Sequence, residues 1–315
     1  MNFAALAAAL SVAFPAENQN LPFVGETYVI GAVEVAQPSN RATRAAELYL
    51  NGVSVPVYRT GAFLAMVKVH AGTNEITLSY GTNSLVRSFR VASPPPSSGQ
   101  AADTPPSPPR NPYADLGIPS NVVYAAKPPK GTKPQDVTVM VDAGHGGDDS
   151  GAISPHGIKE KEFNLSQALE VAATLRRLGF KVLMTREDDS FPALYDRPKA
   201  AIREKADCFI SIHHNATACQ TNPRNVRHVT TYASNSNGLA LASCIQKHLA
   251  DVVAPVRDSG AQMKSLAVCR NPAVPSCLLE VDFINLPEGE EASLDKKRMK
   301  RVATAVACGI LDWLQ

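Results

Sequence analysis

Three positions far apart in the chain carry side chains able to grip a cation. His145 lies in VDAGHGGDDSG (141–151), Glu160 in GIKEKEFNL (157–165) and His213 in CFISIHHNA (208–216). Two imidazoles and one carboxylate are a common catalytic zinc set, and they leave a fourth position for water or substrate. The glycines around His145 let backbone close tightly around something small. A phosphate cradle is a poor reading of them. The G-x-G-x-x-G spacing is absent, no Lys-Ser/Thr follows, and Asp148 and Asp149 would repel an anion. Each residue also has a plainer reading. His145 can be a turn residue, and Glu160 suits the positive end of a helix dipole. His213 and His214 are strand neighbours that face opposite ways, so only one of them lines a site. Spacing alone leaves these alternatives open.

The elements that must bring the three together are legible in residues 135–315. DVTVMVDAG, KVLMT, CFISIHHNA and SCLLEVDF read as strands. EKEFNLSQALEVAATLRRLGF, RPKAAIREKA, GLALASCIQKHLADVV and RMKRVATAVACGILDWL read as helices, the first stopped by Gly179. Strand and helix alternate. The expected fold is therefore α/β, a mostly parallel sheet with helices on both faces, and ligands gather at the carboxyl ends of such strands.

Residues 21–92 differ. TYVIGAVEV, AELYLNG, VSVPVYR, AFLAMVKV, NEITLSYG and LVRSFRVA alternate with period two and are separated by Gly and Asn turns, which predicts a small all-β sandwich. The stretch LYLNGVSVPVYRTGAFLAMVKVHAGTNEITL resembles the Ig-like accessory domains of bacterial surface proteins. Its His70 reads as a surface strand residue. Residues 93–134, beginning SPPPSSGQAADTPPSPPRNP, form a proline-rich linker with little to bury. Residues 1–20 open with an apolar run of signal-peptide length, too short to span a bilayer. They lack a basic n-region, so the segment reads as an atypical export signal or a buried helix. The expectation is an exported protein of the periplasm or cell envelope with no stable membrane span.

Composition narrows the classes further. The chain has 44% hydrophobic and 19% charged residues and a formal charge of +2, a packed globular balance without the basic, aromatic-interleaved footprint of a nucleic-acid binder. All six cysteines lie in the second half without a C-x-x-C pair, which argues against a thiolate zinc site and leaves disulfide pairing open.

VMVDAGHGGDDSGAISPHGIKEKEFNL resembles the opening of the zinc-dependent N-acetylmuramoyl-L-alanine amidases, whose pattern is D-x-G-H-G-G followed by E-K-x-x-N-L. TREDDSFPALYDRPKAAIREKADCFISIHHNA and AVPSCLLEVDFINLPEGE continue the resemblance in family order over residues 136–315. The resemblance implies one zinc per catalytic domain on His145, Glu160 and His213, and a catalytic glutamate at Glu280. The residues agree on Glu280, because a carboxylate in an apolar strand is costly without a task; a buried ion pair is the alternative. Asp142 and Asn215 are candidates for orienting the ligands, or turn residues. Arg270 is a candidate for meeting an acidic substrate group, or a surface residue. Arg186 and Arg197 are expected to pair with carboxylates, and His156 to face solvent. Asp282 and RHVTTYA, with His228 and Thr230, depart from the family pattern, so the substrate groove is expected to differ. The resemblance implies hydrolysis of the bond between N-acetylmuramic acid and L-alanine in peptidoglycan. The rivals are a zinc peptidase on other peptides and a non-catalytic wall-binding or activator protein. The sandwich is a candidate surface for an envelope protein partner.

Overall fold

The computed structural model describes residues 10–34, 47–95, 111–118 and 126–315. Eight strands form the first half: β1 (Leu10–Phe14), β2 (Asn20–Leu21), β3 (Glu26–Val33), β4 (Leu48–Leu50), β5 (Val53–Val55), β6 (Ala62–Lys68), β7 (Gly72–Tyr80) and β8 (Asn83–Val91). They make a three-stranded sheet, β1-β3-β6, and a five-stranded sheet, β2-β8-β7-β4-β5. The period-two pattern explains the packing, since alternate residues of each strand turn toward the facing sheet. Val29, Val33 and Phe63 meet Leu48, Leu78, Ile76 and Phe89 between the sheets. The Asn51-Gly52 turn between β4 and β5 has positive φ at both residues (48° and 78°), the geometry that asparagine and glycine tolerate best.

Residues 10–14 belong to this sandwich. The sequence reading placed them in an export segment or a buried helix; instead β1 pairs antiparallel with β3, and Leu10 and Val12 enter the core. Alternation of Leu10, Val12 and Phe14 with small residues satisfies a strand as well as a signal core, and tertiary pairing decides. Residues 1–9 lie outside the described residues, as does much of the linker. Residues 111–118 do not stay extended. They turn through Ala114–Leu116 and pack on the second half, with Tyr113 edge-on to Tyr195 and Asp115 paired with Lys199 at 2.8 Å.

The second half holds a six-stranded sheet, β10 (Lys181–Met184), β9 (Thr138–Ala143), β11 (Cys208–Asn215), β14 (Ser276–Phe283), β12 (His228–Ala233) and β13 (Arg257–Met263), in that order. Neighbours are parallel except β12 and β14. Helices α1 (Glu160–Arg177), α3 (Ser236–Val253) and α5 (Lys296–Leu314) share one core with Val139, Val141, Ile210, Ile212, Leu279 and Val281 of the sheet. The short α2 (Asp196–Arg203) and the turn Ala267–Cys269 share a second core with Met140, Phe209, Tyr232 and Leu278. The cores separate because successive strand residues face opposite ways. Helix α4 (Pro287–Leu294) follows β14.

Strand β9 has β10 on one side and β11 on the other, so the chain changes direction at its carboxyl end. Such a switch point opens a crevice where ligands bind, and His145 follows that end. Among the described residues no helix is long and apolar enough to cross a membrane. All six cysteines are free thiols.

Candidate metal centre

His145 enters the crevice because β9 ends in a loop that only glycine-rich sequence can make. His145 itself has φ 60°, and Gly146, Gly147 and Gly151 have φ of 131°, 52° and 62°. A side-chain carbon at Gly144 would lie 2.1 Å from His213 Nε2, and one at Gly151 would lie 2.6 Å from Glu160 Oε2. The glycines are therefore the space the ligand cluster occupies. Two buried arginines hold the loop. Arg186 donates to the carbonyls of Ala143 (2.8 Å), Gly144 (2.8 Å) and Lys161 (2.9 Å). Arg197 donates to Ala143 O and His145 O, both at 2.7 Å. Arg197 also pairs with Asp142 as expected, at 2.9 Å, whereas Arg186 binds backbone carbonyls where a carboxylate partner was expected. The loop's uncapped carbonyls are the stronger claim on that guanidinium.

His145 Nε2 lies 3.2 Å, and His213 Nδ1 3.1 Å, from Glu160 Oε1. One ligand atom from each of the three residues falls within 4.8 Å of the others. Glu160 is the first residue of α1, and it is buried. Its Oε2 accepts the Ala152 N–H at 3.1 Å, and its Oε1 accepts from Asn164 Nδ2 at 3.1 Å. Burial works against ionisation of Glu160, yet hydrogen bonds from His145 and His213 hold its carboxyl well below the usual range. Burial works equally against charge on His145, but Glu160 and Asp149 outweigh it and lift the imidazole to about 9. A buried carboxylate between two imidazoles that share protons with it is the donor set a divalent cation would take over, so the residues present fit zinc.

Asp149, which the sequence reading used only to exclude phosphate, bonds His145 Nδ1 at 2.8 Å and so fixes the tautomer that turns Nε2 inward. His214 faces away from the cluster, as strand alternation requires. Burial pushes its imidazole down to about 4, so it is neutral, and its Nδ1 donates to Asn164 Oδ1 at 2.9 Å. Asn164 in turn donates to Glu160. The relay His214–Asn164–Glu160 orients the carboxylate, and the sequence signal for it was Asn164 in the E-K-x-x-N-L motif.

Glu280 sits on β14 directly beside His213 in the parallel register. Its Oε2 is buried and has no hydrogen-bond partner among the described residues. Burial raises its carboxyl to about 7, against the lowering influence of His213. No buried ion pair holds it among the described residues, which removes the alternative reading of this residue.

The remaining candidates are placed less directly. Asp142 touches no ligand side chain; it accepts from Ser211 (2.6 Å), Thr185 (2.5 Å) and Arg197, and acts on the loop through that arginine. Asn215 turns onto the Ala216 N–H at 2.8 Å, the behaviour of a turn residue. Arg270 is exposed at the end of the turn Ala267–Cys269, near Tyr113. His228 bonds Val226 O, His248 pairs with Asp312, and His70 is exposed. His156 keeps 35% of its side chain accessible, but both ring nitrogens are engaged, one of them by the sandwich.

Two imidazoles and a carboxylate thus converge at a switch point of an α/β sheet, with a buried unpaired carboxyl on the strand beside His213, a donor set that could hold a cation next to an acid–base group. The profile of the N-acetylmuramoyl-L-alanine amidase family matches residues 139–312, and the chain belongs to that family. It is 38% identical over 185 residues to the endolysin of Bacillus phage SPP1, covering 56% of this chain and 65% of that protein. It is 33% identical over 192 residues to the probable cell wall amidase LytH of Staphylococcus saprophyticus, covering 60% and 62%. The match thus spans under two thirds of either relative. Among solved structures, the catalytic domain of the amidase CwlV from Paenibacillus polymyxa superposes with a TM-score of 0.53 at 34% identity, covering 56% of this chain and 98% of that one. AmiC2 of Nostoc punctiforme gives 0.54 at 30%, covering 58% and 99%.

Proposed function

We propose that this chain hydrolyses the amide bond between N-acetylmuramic acid and L-alanine in peptidoglycan, with one zinc ion held by His145, Glu160 and His213. The observation that carries the reading is the convergence of those three side chains beside Glu280. When bound, zinc would acidify a water molecule and polarise the lactyl carbonyl. The chain's own residues supply the rest. His145 is kept in one tautomer by Asp149, and Glu160 is kept ionised by its donors. Glu280, buried and unpaired beside His213, would take a proton from the attacking water and give it to the departing alanine nitrogen. A carboxyl raised toward neutrality suits both halves of that transfer.

Family membership supports the substrate, and the relatives' names place their action at the cell wall. The reading includes export to the envelope. It divides the chain into a sandwich (21–92, with residues 10–14 added to it), a linker (93–134) and a catalytic domain (135–315).

Digestion of purified sacculi tests it. Wild type with zinc releases intact stem peptides with free N-terminal alanine, seen by mass spectrometry, and Glu280→Gln or a chelator abolishes release. Cleavage inside the peptides instead would make this a zinc peptidase. Wall binding without any cleavage, unchanged by Glu280→Gln, would make it a binding or activator protein.

A further inference from the structure

The sandwich touches the flanks of three of the four segments that carry the candidate chemistry, those of His213, Glu280 and Glu160. Beyond His213, the Cys219 carbonyl accepts the Tyr28 N–H at 3.0 Å, so the loop after β11 satisfies an amide of β3 beyond the stretch that β1 pairs. Beyond Glu280, Phe283 and Leu286 pack with Tyr28, Ile30 and Leu64. Before Glu160, the chain makes a tight hairpin. Ser154 N–H donates to Ile158 O at 2.9 Å and Glu160 N–H to Ala152 O at 2.8 Å, with His156 at the tip and Glu160 at the base.

His156 joins that tip to two other elements. Its Nδ1 lies 2.7 Å from Glu290 Oε2 on α4, and its Nε2 lies 3.2 Å from the Thr60 carbonyl of the sandwich. Both partners only accept, so both ring nitrogens must carry hydrogen, and the ring is an imidazolium. Glu290 is buried, and a buried carboxylate needs a partner charge. His156 supplies it and also donates its backbone N–H to Glu290 Oε1 at 3.0 Å. The other charged or titratable groups around this joint include Glu291 on α4, bound by Tyr58 at 2.8 Å and Arg59 at 2.7 Å from the sandwich, Glu288 on α4, paired with Arg224 at 3.6 Å, and Lys159 further along the hairpin.

We propose that the β-sandwich is a positioning element of the metal site, and that the His156 imidazolium is the cross-link through which it holds the Glu160 hairpin. Glu290 lifts His156 above its ordinary value, so the imidazolium's share of the link is present below that ordinary value and is lost as pH rises through the raised one. Its metal-affinity consequence rests on the zinc reading above; the link itself does not.

The test uses the full chain in three measurements. First, ¹⁵N chemical shifts of His156 in the metal-free protein at neutral pH report an imidazolium; a neutral tautomer overturns the proposal. Second, hydrogen exchange of the hairpin amides, including Glu160 N–H, is compared in metal-free wild type and His156→Gln, with β9 and β11 amides confirming that the variant is folded. Loss of a charge-assisted bond predicts roughly ten- to a hundredfold less protection in the hairpin; equal protection overturns the proposal. Third, zinc affinity by chelator competition falls severalfold in His156→Gln. An unchanged affinity overturns the positioning role. A wild type that binds no zinc overturns the positioning role together with the zinc reading, while the first two measurements still decide whether the link exists.

Discussion

Replacing Glu280 by glutamine should make the metal-free protein more stable while removing the activity of the zinc-loaded one. The carboxyl is buried beside His213 with one oxygen unpaired, and burial raises it from 4.5 to about 7. A raised carboxyl means that the folded chain holds an extra proton between those two values. The penalty is therefore absent below pH 4.5, grows as pH rises, and is complete above about 7. A displacement of that size corresponds to about 3 kcal/mol at full ionisation. Partial exposure of the residue and relaxation around the charge reduce this, so the expected gain at pH 8 is about 1–3 kcal/mol. Glutamine is neutral and leaves the same site without a partner, so the comparison isolates ionisation. Urea unfolding of chelator-treated wild type and Glu280→Gln at pH 4.5 and pH 8, followed through the single tryptophan, Trp313, buried in the catalytic core, measures it. The two proteins should coincide at pH 4.5 and separate at pH 8, with the variant the more stable. A variant that is equally or less stable at pH 8, or a difference that ignores pH, would refute the claim that this carboxylate is held in a desolvated site. In zinc-loaded preparations of the same two proteins, hydrolysis should drop roughly 100- to 10,000-fold on the substitution, the usual worth of a general acid–base.

Other outcomes follow from the same geometry. Asp149→Ala frees His145 Nδ1 and should weaken zinc binding about 10- to 100-fold in a chelator competition, with the fold unchanged by circular dichroism. Gly144→Ala puts a carbon into the His213 ring and should abolish stoichiometric zinc, read by elemental analysis. Because His145 is lifted to about 9 in the metal-free site, zinc must displace a proton there. Apparent affinity should rise with pH up to about 9, and calorimetry in buffers of different ionisation enthalpy should show proton release. Asp142→Asn leaves the buried Arg197 uncompensated and should cost about 3–5 kcal/mol in denaturant unfolding.

Much of this molecule can be read from local pattern. The strands β9, β10, β11 and β14 are runs of β-branched and apolar residues, and α1 and α5 carry apolar stripes. The two candidate histidines, one just after β9 and one near the carboxyl end of β11, lie where an α/β sheet collects its chemistry. Other parts are invisible for physical reasons. β13 reads RDSGAQM, without an apolar face, because it is an exposed edge held only by β12. β1 has a composition that also suits an export signal. Asn164 reaches Glu160 one turn along α1, but its bond to His214 needs the tertiary approach of β11, which spacing does not encode. His156 is a polar residue in a loop until the sandwich arrives beside it. The reach of Arg186 to backbone carbonyls is likewise set by the path of the His145 loop.

The central claim is that His145, Glu160 and His213 grip one divalent cation. Diffraction from crystals of the zinc-loaded full chain, recorded on both sides of the zinc absorption edge, tests it most directly. One anomalous peak should lie about 2.0–2.2 Å from His145 Nε2, His213 Nδ1 and a Glu160 oxygen. No peak at that position, in protein shown to carry stoichiometric zinc, would contradict the account.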